Sequence, residues 1–308
     1  MTNAQLKAAM GTATLDLLSR MPYFRGKGRI ALLILRLCKS VLPLTMRLPI
    51  GSRVWLSDDD AGRLLLPYCI RKYEREVYTT FKQCLSRLPP DACFIDVGAN
   101  VGFYSVSAAE YFRKAGPGSV HSFEPNPRAL SALRRNSELN RFTNLNVNHQ
   151  GISNLTGSLT LYISPHAITC GSLQPVGAYL TQRIEVPVTT LDDYASQRRG
   201  LKPGLIKIDI EGGELPALQG ARRILERDRP YIIYEEFRGF CQAFGYTIRD
   251  IRSYLQTLRY NLFVIRPRWP RGARLIPTSY QDADQYPDTQ NILAMPTTNR
   301  WSVDEAIE

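Results

Sequence analysis

The stretch FIDVGANVGFYS, residues 94–105, narrows what this chain can fold into more than any other. An apolar run ends in Asp96, glycines follow at Gly98 and Gly102, and an aliphatic and aromatic run comes next. That order describes a strand, a tight turn and a helix start, where doubly wound α/β folds hold nucleotide-like ligands. The spacing departs from G-x-G-x-x-G, because Asn100 stands where the middle glycine belongs. The dinucleotide fingerprint therefore fails, and another adenosine-bearing ligand has to be weighed.

From Asp91 onward, apolar runs of strand length alternate with helical patterns, which predicts a mostly parallel sheet covered on both faces. CFIDV is the first strand, and the helix over GFYSVSAAEYFRKA stops at the Gly-Pro-Gly turn of residues 116–118. SVHSFEP is the second strand, ending in Glu124 and Pro125, with Pro127 suited to the first turn of the helix after it. A third strand falls near NLNVNHQGIS, GSLTLYI reads as an inserted strand, and residues 164–183 read as a loop. Beyond RIEVPV, Thr190 is placed to cap a helix, and LIKIDIEGGELPALQGARRILE gives a fourth strand, a turn and one long helix. YIIYEE, a helix from about Ile248 to Leu258, NLFVI, a Pro- and Arg-rich connection and NILAMP complete the series.

Upstream, Cys69 to Leu88 has helical spacing and ends at Pro89-Pro90. The expected division is a helical N-terminal extension over residues 1–68 and a main domain over residues 69–308. Residues 26–48 are the most apolar part of that extension, yet Arg36 and Lys39 interrupt them and Pro43 breaks them. Such a segment is too short and too charged to span a bilayer. It is either a helix packed on the main domain or a basic amphipathic helix lying on a membrane surface.

Composition sets wide bounds. The chain has 308 residues, 44% of them hydrophobic, enough for a large α/β domain with an accessory region. Lys and Arg number 39 against 28 Asp and Glu, a net +11 that favours anionic partners, although no long basic run concentrates it. Six cysteines lie far apart without a C-x-x-C pair, which indicates neither a zinc site nor a disulfide framework. The start of the chain lacks a signal-peptide pattern, so the expectation is a cytoplasmic protein, with peripheral contact at the inner membrane face through residues 26–48 left open.

Two glycines let a backbone approach a ligand that a β-carbon would obstruct. Asp96 ends the strand before them, and Glu124 ends the next strand, where a carboxylate can accept hydrogen bonds from both ribose hydroxyls and repel a 2′-phosphate. A nicotinamide enzyme would use the same acid. The loop separates the two cofactors: Asn100 leaves less room for a pyrophosphate, whereas S-adenosyl-L-methionine needs space only for a sulfonium and an amino-acid tail.

Taken together, FIDVGANVGFYS, SFEPNP, TTLDDY and LIKIDIEGGELPALQGARRIL resemble the FkbM family of S-adenosylmethionine-dependent methyltransferases, in one ordered series over about residues 70–295. The resemblance implies a class I, Rossmann-like sheet of about seven strands with an antiparallel last strand. It also implies methylation of a hydroxyl on a sugar, glycan or secondary metabolite. Asp96, Gly98, Asn100 and Gly102 match the family's D-x-G-A-N-x-G loop, and Glu124 matches its ribose-binding acid. Gly151 to Ser153, with Ile152 at the centre, falls where this fold holds adenine. Tyr73 and Glu74 match a pair that precedes the core in many members, although a helix-surface Glu also pairs readily with Arg71 or Arg75.

In LIKIDIEGGE, Ile206, Ile208 and Ile210 alternate with Lys207, Asp209 and Glu211, which aims charge toward the ligand end of the strand. Methyl transfer to an aliphatic hydroxyl needs a group that positions the oxygen and takes its proton. Asp209 and Glu211 are the candidate bases, with Lys207 as their partner. The alternative is structural: a Lys207–Asp209 ion pair bracing the loop, and Glu211 capping the next helix. A divalent metal held by this carboxylate pair is left open but not demanded, since two carboxylates without a third ligand make a weak claim.

Among the histidines, His121 reads as packed, while His149 and His166 are weaker candidates for a base. Nucleic acid is not the expected partner, because no DPPY or NPPY follows the fourth strand to hold a flipped base. Two other classes remain at this point: a nicotinamide-dependent oxidoreductase, which lacks a Tyr-x-x-x-Lys dyad, and a non-catalytic membrane-associated protein on a methyltransferase fold.

Overall fold

The computed structural model describes residues 2–21, 27–41, 44–48, 50–56, 74–165, 171–268, 272–285 and 288–297. Helices α1 (Asn3–Arg20) and α2 (Lys27–Leu37) come first, followed by a hairpin of β1 (Leu44–Arg47) and β2 (Arg53–Leu56). Next are α3 (Arg75–Ser86), β3 (Cys93–Val97), α4 (Phe103–Ala115), β4 (Ser119–Phe123), α5 (Pro127–Asn140) and β5 (Leu145–Asn148). A separate sheet in the order β6-β9-β7-β8 is made by β6 (Gly151–Ile152), β7 (Gly157–Ile163), β8 (Gly171–Ser172) and β9 (Gln182–Thr189). The chain continues through α6 (Leu191–Ser196), β10 (Pro203–Ile208), α7 (Glu214–Gln219), α8 (Arg222–Arg227), β11 (Tyr231–Phe237) and α9 (Arg238–Ala243). It ends with α10 (Ile248–Thr257), β12 (Tyr260–Pro267), β13 (Ala273–Thr278) and β14 (Thr289–Pro296).

The central sheet has the order β13-β12-β14-β11-β10-β3-β4-β5. Strands β5, β4, β3, β10 and β11 run parallel, and β14 enters antiparallel between β11 and β12. This is the expected α/β sheet of class I methyltransferase type, with its antiparallel last strand. An eighth strand, β13, forms in the connection where the sequence predicts none. It buries Leu275, and as the edge strand it tolerates Pro277, whose missing N–H faces no further neighbour.

Both faces of this sheet are covered, so its strands read as continuous apolar runs. Alternate side chains go to opposite layers. Phe94, Leu205 and Ile233 join one core with α3, α4 and α5, whereas Ile95, Ile206 and Ile232 join the other with α7, α8 and α10. The first core also takes in Leu15, Leu18, Ala31 and Leu35 from the N-terminal helices.

Local expectations change in several places. Within residues 164–183, read as a loop, β8 pairs with β7 and β9 begins at Gln182. The helix predicted within residues 26–48 stops at Leu37, and β1 follows. The third strand ends at Asn148, and Gly151–Ile152 leaves it to pair with β9. The long helix after β10 breaks in two around Gly220, where a β-carbon would lie 2.1 Å from the Ser153 carbonyl oxygen. The Asp192 carboxylate then accepts the Arg223 and Ile224 N–H groups (2.9 and 3.0 Å) and caps α8.

The β1–β2 hairpin hangs on α5: the Trp55 N–H donates to Asn136 Oδ1 (2.9 Å) and the Arg53 N–H to Asn140 Oδ1 (2.7 Å). Asn136 in turn donates to the Val101 carbonyl (2.9 Å), so the same side chain braces the glycine loop. Among the described residues, no helix is long and apolar enough to cross a membrane.

Strand β11 is fixed from its far face by a fully buried ion pair. Arg252 on α10 donates to both Glu236 oxygens, at 2.7 Å to Oε2 and 3.0 Å to Oε1, and its other nitrogen reaches Thr278 and the Ser279 carbonyl. Removing one partner leaves an uncompensated buried charge, so Arg252→Met is expected to lower stability by about 3–5 kcal/mol. Urea unfolding checks this, and the double variant Arg252→Met/Glu236→Leu should recover most of the loss.

Candidate active site

The carboxyl ends of β3, β4, β10 and β11 open into one cavity. Of the predicted site residues, Asp96, Gly98, Asn100, Glu124, Ile152, Lys207, Asp209 and Glu211 all line it. Gly102 does not. A β-carbon there would lie 2.4 Å from Leu133 Cδ1, and its φ of +92° starts α4, so Gly102 serves helix packing. Gly98 also has its main constraint inside the protein: at φ +79°, its β-carbon would meet the Asp209 carbonyl oxygen at 2.0 Å. The ends of β3 and β10 approach so closely that only glycine fits.

Glu124 ties this loop down. Its Oε2 accepts the Asn100 N–H (2.8 Å) and its Oε1 accepts the Asn126 N–H (2.7 Å). Burial pushes its carboxyl up to about 7. Asp96 is also buried and accepts a hydrogen bond from Ser105 through Oδ2, while its buried Oδ1 has no hydrogen-bond partner among the described residues. Burial raises its carboxyl to about 6 against the opposing charge of Lys207, its registered neighbour on β10.

Lys207 is the structural centre of the β10 end. Its ammonium pairs with Asp209 Oδ2 (2.7 Å) and sits 4.7 Å from the centroid of the Tyr104 ring. Burial alone disfavours its charge, but Asp209, Glu74 and Asp96 outweigh burial and raise it above the ordinary lysine range. The bracing ion pair considered from sequence therefore forms, and it forms inside the cavity. No side chain caps α7, and Glu214, its first residue, instead holds the turn before it by accepting the Ile210 and Gly212 N–H groups (3.1 and 3.3 Å). Glu211 lies free of that role at φ +55°. Burial, with the charges of Asp209 and Glu214, pushes its carboxyl up to about 8.

Glu235, Tyr104 and Glu74 also bring polar groups to the cavity. Glu235, at the end of β11, is raised by burial and by the charges of Asp209, Glu211 and Glu74. The same signal that marked the fourth strand, an apolar run ending in acids, was present in YIIYEE. Tyr104 donates to Glu74 Oε2 (2.8 Å), which places Glu74 in the cavity; Tyr73 lies outside the described residues. Of the six non-glycine residues at positive φ among those described, Glu74, Asn100 and Glu211 line this cavity. Backbone strain of this kind gathers at functional sites.

The histidines lie elsewhere. His121 bonds to Tyr194 (2.8 Å) and Ser119 (3.1 Å), and burial lowers its pKa to about 4, as fits a packed residue. His149 is exposed and contacts the Pro125 carbonyl; His166 lies outside the described residues.

Sequence comparison places this site among known proteins. The chain is 23% identical over 214 residues to Methyltransferase 1 of Beauveria bassiana, a match covering 63% of this chain and 82% of that one. It is 28% identical over 209 residues to the 31-O-demethyl-FK506 methyltransferase FkbM of Streptomyces tacrolimicus, covering 57% and 75%. It is likewise 28% identical over 142 residues to the hexuronic acid methyltransferase AglP of Haloferax volcanii, covering 46% and 55%. The sequence profile of the methyltransferase FkbM domain matches residues 96–262, more than half of the chain and nearly the whole cavity. This protein is a member of the FkbM methyltransferase family.

Proposed function

We propose that residues 69–308 bind S-adenosyl-L-methionine in this cavity and transfer its methyl group to a hydroxyl of a sugar, glycan or secondary metabolite. The observation that carries this reading is the charge of the lining. Glu74, Asp96, Glu124 and Asp209, beside the neutral acids Glu211 and Glu235, face a single ammonium among the described lining residues, and that ammonium, Lys207, is paired with Asp209. Such a cavity favours a sulfonium with an α-ammonium group and repels the pyrophosphate of a nicotinamide dinucleotide.

Individual atoms support the same ligand. The partnerless Asp96 Oδ1 is a buried acceptor that a ligand N–H donor would satisfy. Each Glu124 oxygen takes one backbone N–H and keeps a lone pair for a ribose hydroxyl. Gly151 and Ile152 offer an apolar wall for adenine.

When bound, the cofactor supplies a methyl carbon activated by its sulfonium toward in-line displacement. Asp209, one-third exposed and held in place by Lys207, takes the acceptor's proton as its oxygen attacks. Glu211 and Glu235, raised by burial, are protonated at neutral pH and each donates a hydrogen bond that orients the acceptor. The acceptor class draws its support from the names of the two relatives that specify an O-demethyl substrate and a hexuronic acid. The buried free thiols of Cys38, Cys84, Cys93 and Cys241 suit the reducing cytoplasm in which we place the protein.

Calorimetry on purified protein should detect binding of both S-adenosylmethionine and S-adenosylhomocysteine, and a radiolabelled donor should label a hydroxylated component of a fractionated cell extract. Absence of binding by either compound overturns the reading.

A further inference from the structure

We propose that α1 and α2 form a docking face for an anionic phospholipid surface, so that this enzyme works while bound to a bilayer. The inference stands apart from the reaction assigned to the cavity.

A helix that closes only on its own domain needs one apolar stripe. Both N-terminal helices have two. Leu15 and Leu18 of α1, with Ala31 and Leu35 of α2, are buried in the core. On a different face of α1, Leu6, Met10 and Leu17 follow the spacing i, i+4, i+11 and are exposed, with Met21 just beyond. In α2, Ile30, Leu33 and Leu37 follow i, i+3, i+7 and are exposed, with Leu32 beside them. These eight side chains are 42–63% exposed, and they account for eight of the eleven exposed large apolar side chains among the described residues. An open groove between the helices, lined by Leu6, Met10 and Leu37, joins the two stripes. Apolar surface gathered this way marks a contact with a partner.

Charge selects the partner. Residues 1–50 hold eight Lys and Arg and one acid, a net +7 out of the chain's +11. The single acid, Asp16, is buried, accepts the Arg47 N–H (2.9 Å) and pairs with Arg53. The segment therefore presents positive charge almost alone, and α2 contains no acid. Arg29 and Arg36 are exposed and share a helical face with Leu32 and Leu33 at i, i+3, i+4, i+7 spacing. A leucine-rich stripe flanked by arginines fits headgroup phosphates over acyl chains. A second copy of this face would bring two such charges together, and a nucleic acid would leave the leucines exposed to water.

The test is co-sedimentation of the full chain with vesicles. Vesicles of phosphatidylcholine containing about one-third phosphatidylglycerol should carry the protein down at low salt, and raising salt to about 0.5 M should release it. Leu17→Glu/Leu33→Glu and, separately, Arg29→Glu/Arg36→Glu should each reduce binding at least about tenfold. All four positions are exposed, and an unchanged melting temperature and unchanged S-adenosylhomocysteine binding will show that fold and cavity are intact. Failure of the wild type to bind the mixed vesicles, or wild-type binding by both double variants, overturns the proposal. Sedimentation of the wild type as a dimer that Leu17→Glu/Leu33→Glu converts to a monomer, without vesicle binding, assigns the face to a second copy and overturns it as well.

Discussion

Glu124→Ala is expected to weaken S-adenosylhomocysteine binding by about 100-fold or more. Hydrogen bonds to a charged group contribute about 1.5–3 kcal/mol each, and two ribose hydroxyls would lose their acceptor together. The substitution also strips the acceptors from the Asn100 and Asn126 N–H groups, so the glycine loop loses its anchor at the same time. Calorimetry gives the affinity, and melting of the ligand-free protein separates the two effects. Glu124→Gln keeps the volume but turns an amide N–H toward a backbone N–H, so an intermediate loss is expected. Wild-type affinity in Glu124→Ala would remove Glu124 from the cofactor site.

The second large effect is on turnover. Asp209→Asn is expected to lower kcat by about 10²–10⁴, the usual contribution of a positioned base, while S-adenosylhomocysteine binding changes little. Because the neutral amide would leave Lys207 buried without its full counter-charge, the melting temperature has to be followed in parallel. A fall in stability with kcat intact at low temperature returns Asp209 to the bracing role alone.

The raised carboxyls add a pH signature. The folded state holds the Glu211 proton up to about pH 8, whereas the unfolded chain releases it near the ordinary glutamate value. Folded protein thus binds more protons in that window, and the stability contribution of this group falls as pH rises from about 4.5 to about 8. Glu211→Gln should flatten that part of the stability profile measured by denaturant unfolding. An unchanged profile would mean that Glu211 ionises freely in the folded protein.

Much of the architecture was legible because both layers of the sheet are apolar and each βα unit announces itself locally. CFIDV and YIIYEE begin as unbroken apolar runs, LIKIDI alternates isoleucine with charge, and Asn126, Thr190 and Thr247 cap their helices with side chains visible in the sequence. The elements misread from sequence were settled by contacts between distant segments. The helix divides at Gly220, a position where Ser153, far back in the chain, occupies the space a β-carbon would need. β13 forms because β12 offers it an open edge.

The same division runs through the site. The glycine loop, the acid after the second strand and the charged end of the fourth strand are written in the chain itself, because each is a short motif at the end of one predicted strand. What those residues do to one another follows from packing between strands. Gly98 is required by the Asp209 carbonyl, Glu124 holds Asn100, and Glu74, Tyr104 and Glu235 join Lys207 and Asp209 from three separate elements. Burial and the mutual repulsion of these carboxylates set their protonation, and neither quantity exists until the strands lie side by side. The exposed stripes of α1 and α2 belong to the same level, since a sequence shows which faces are apolar and only packing shows which of them the core has covered.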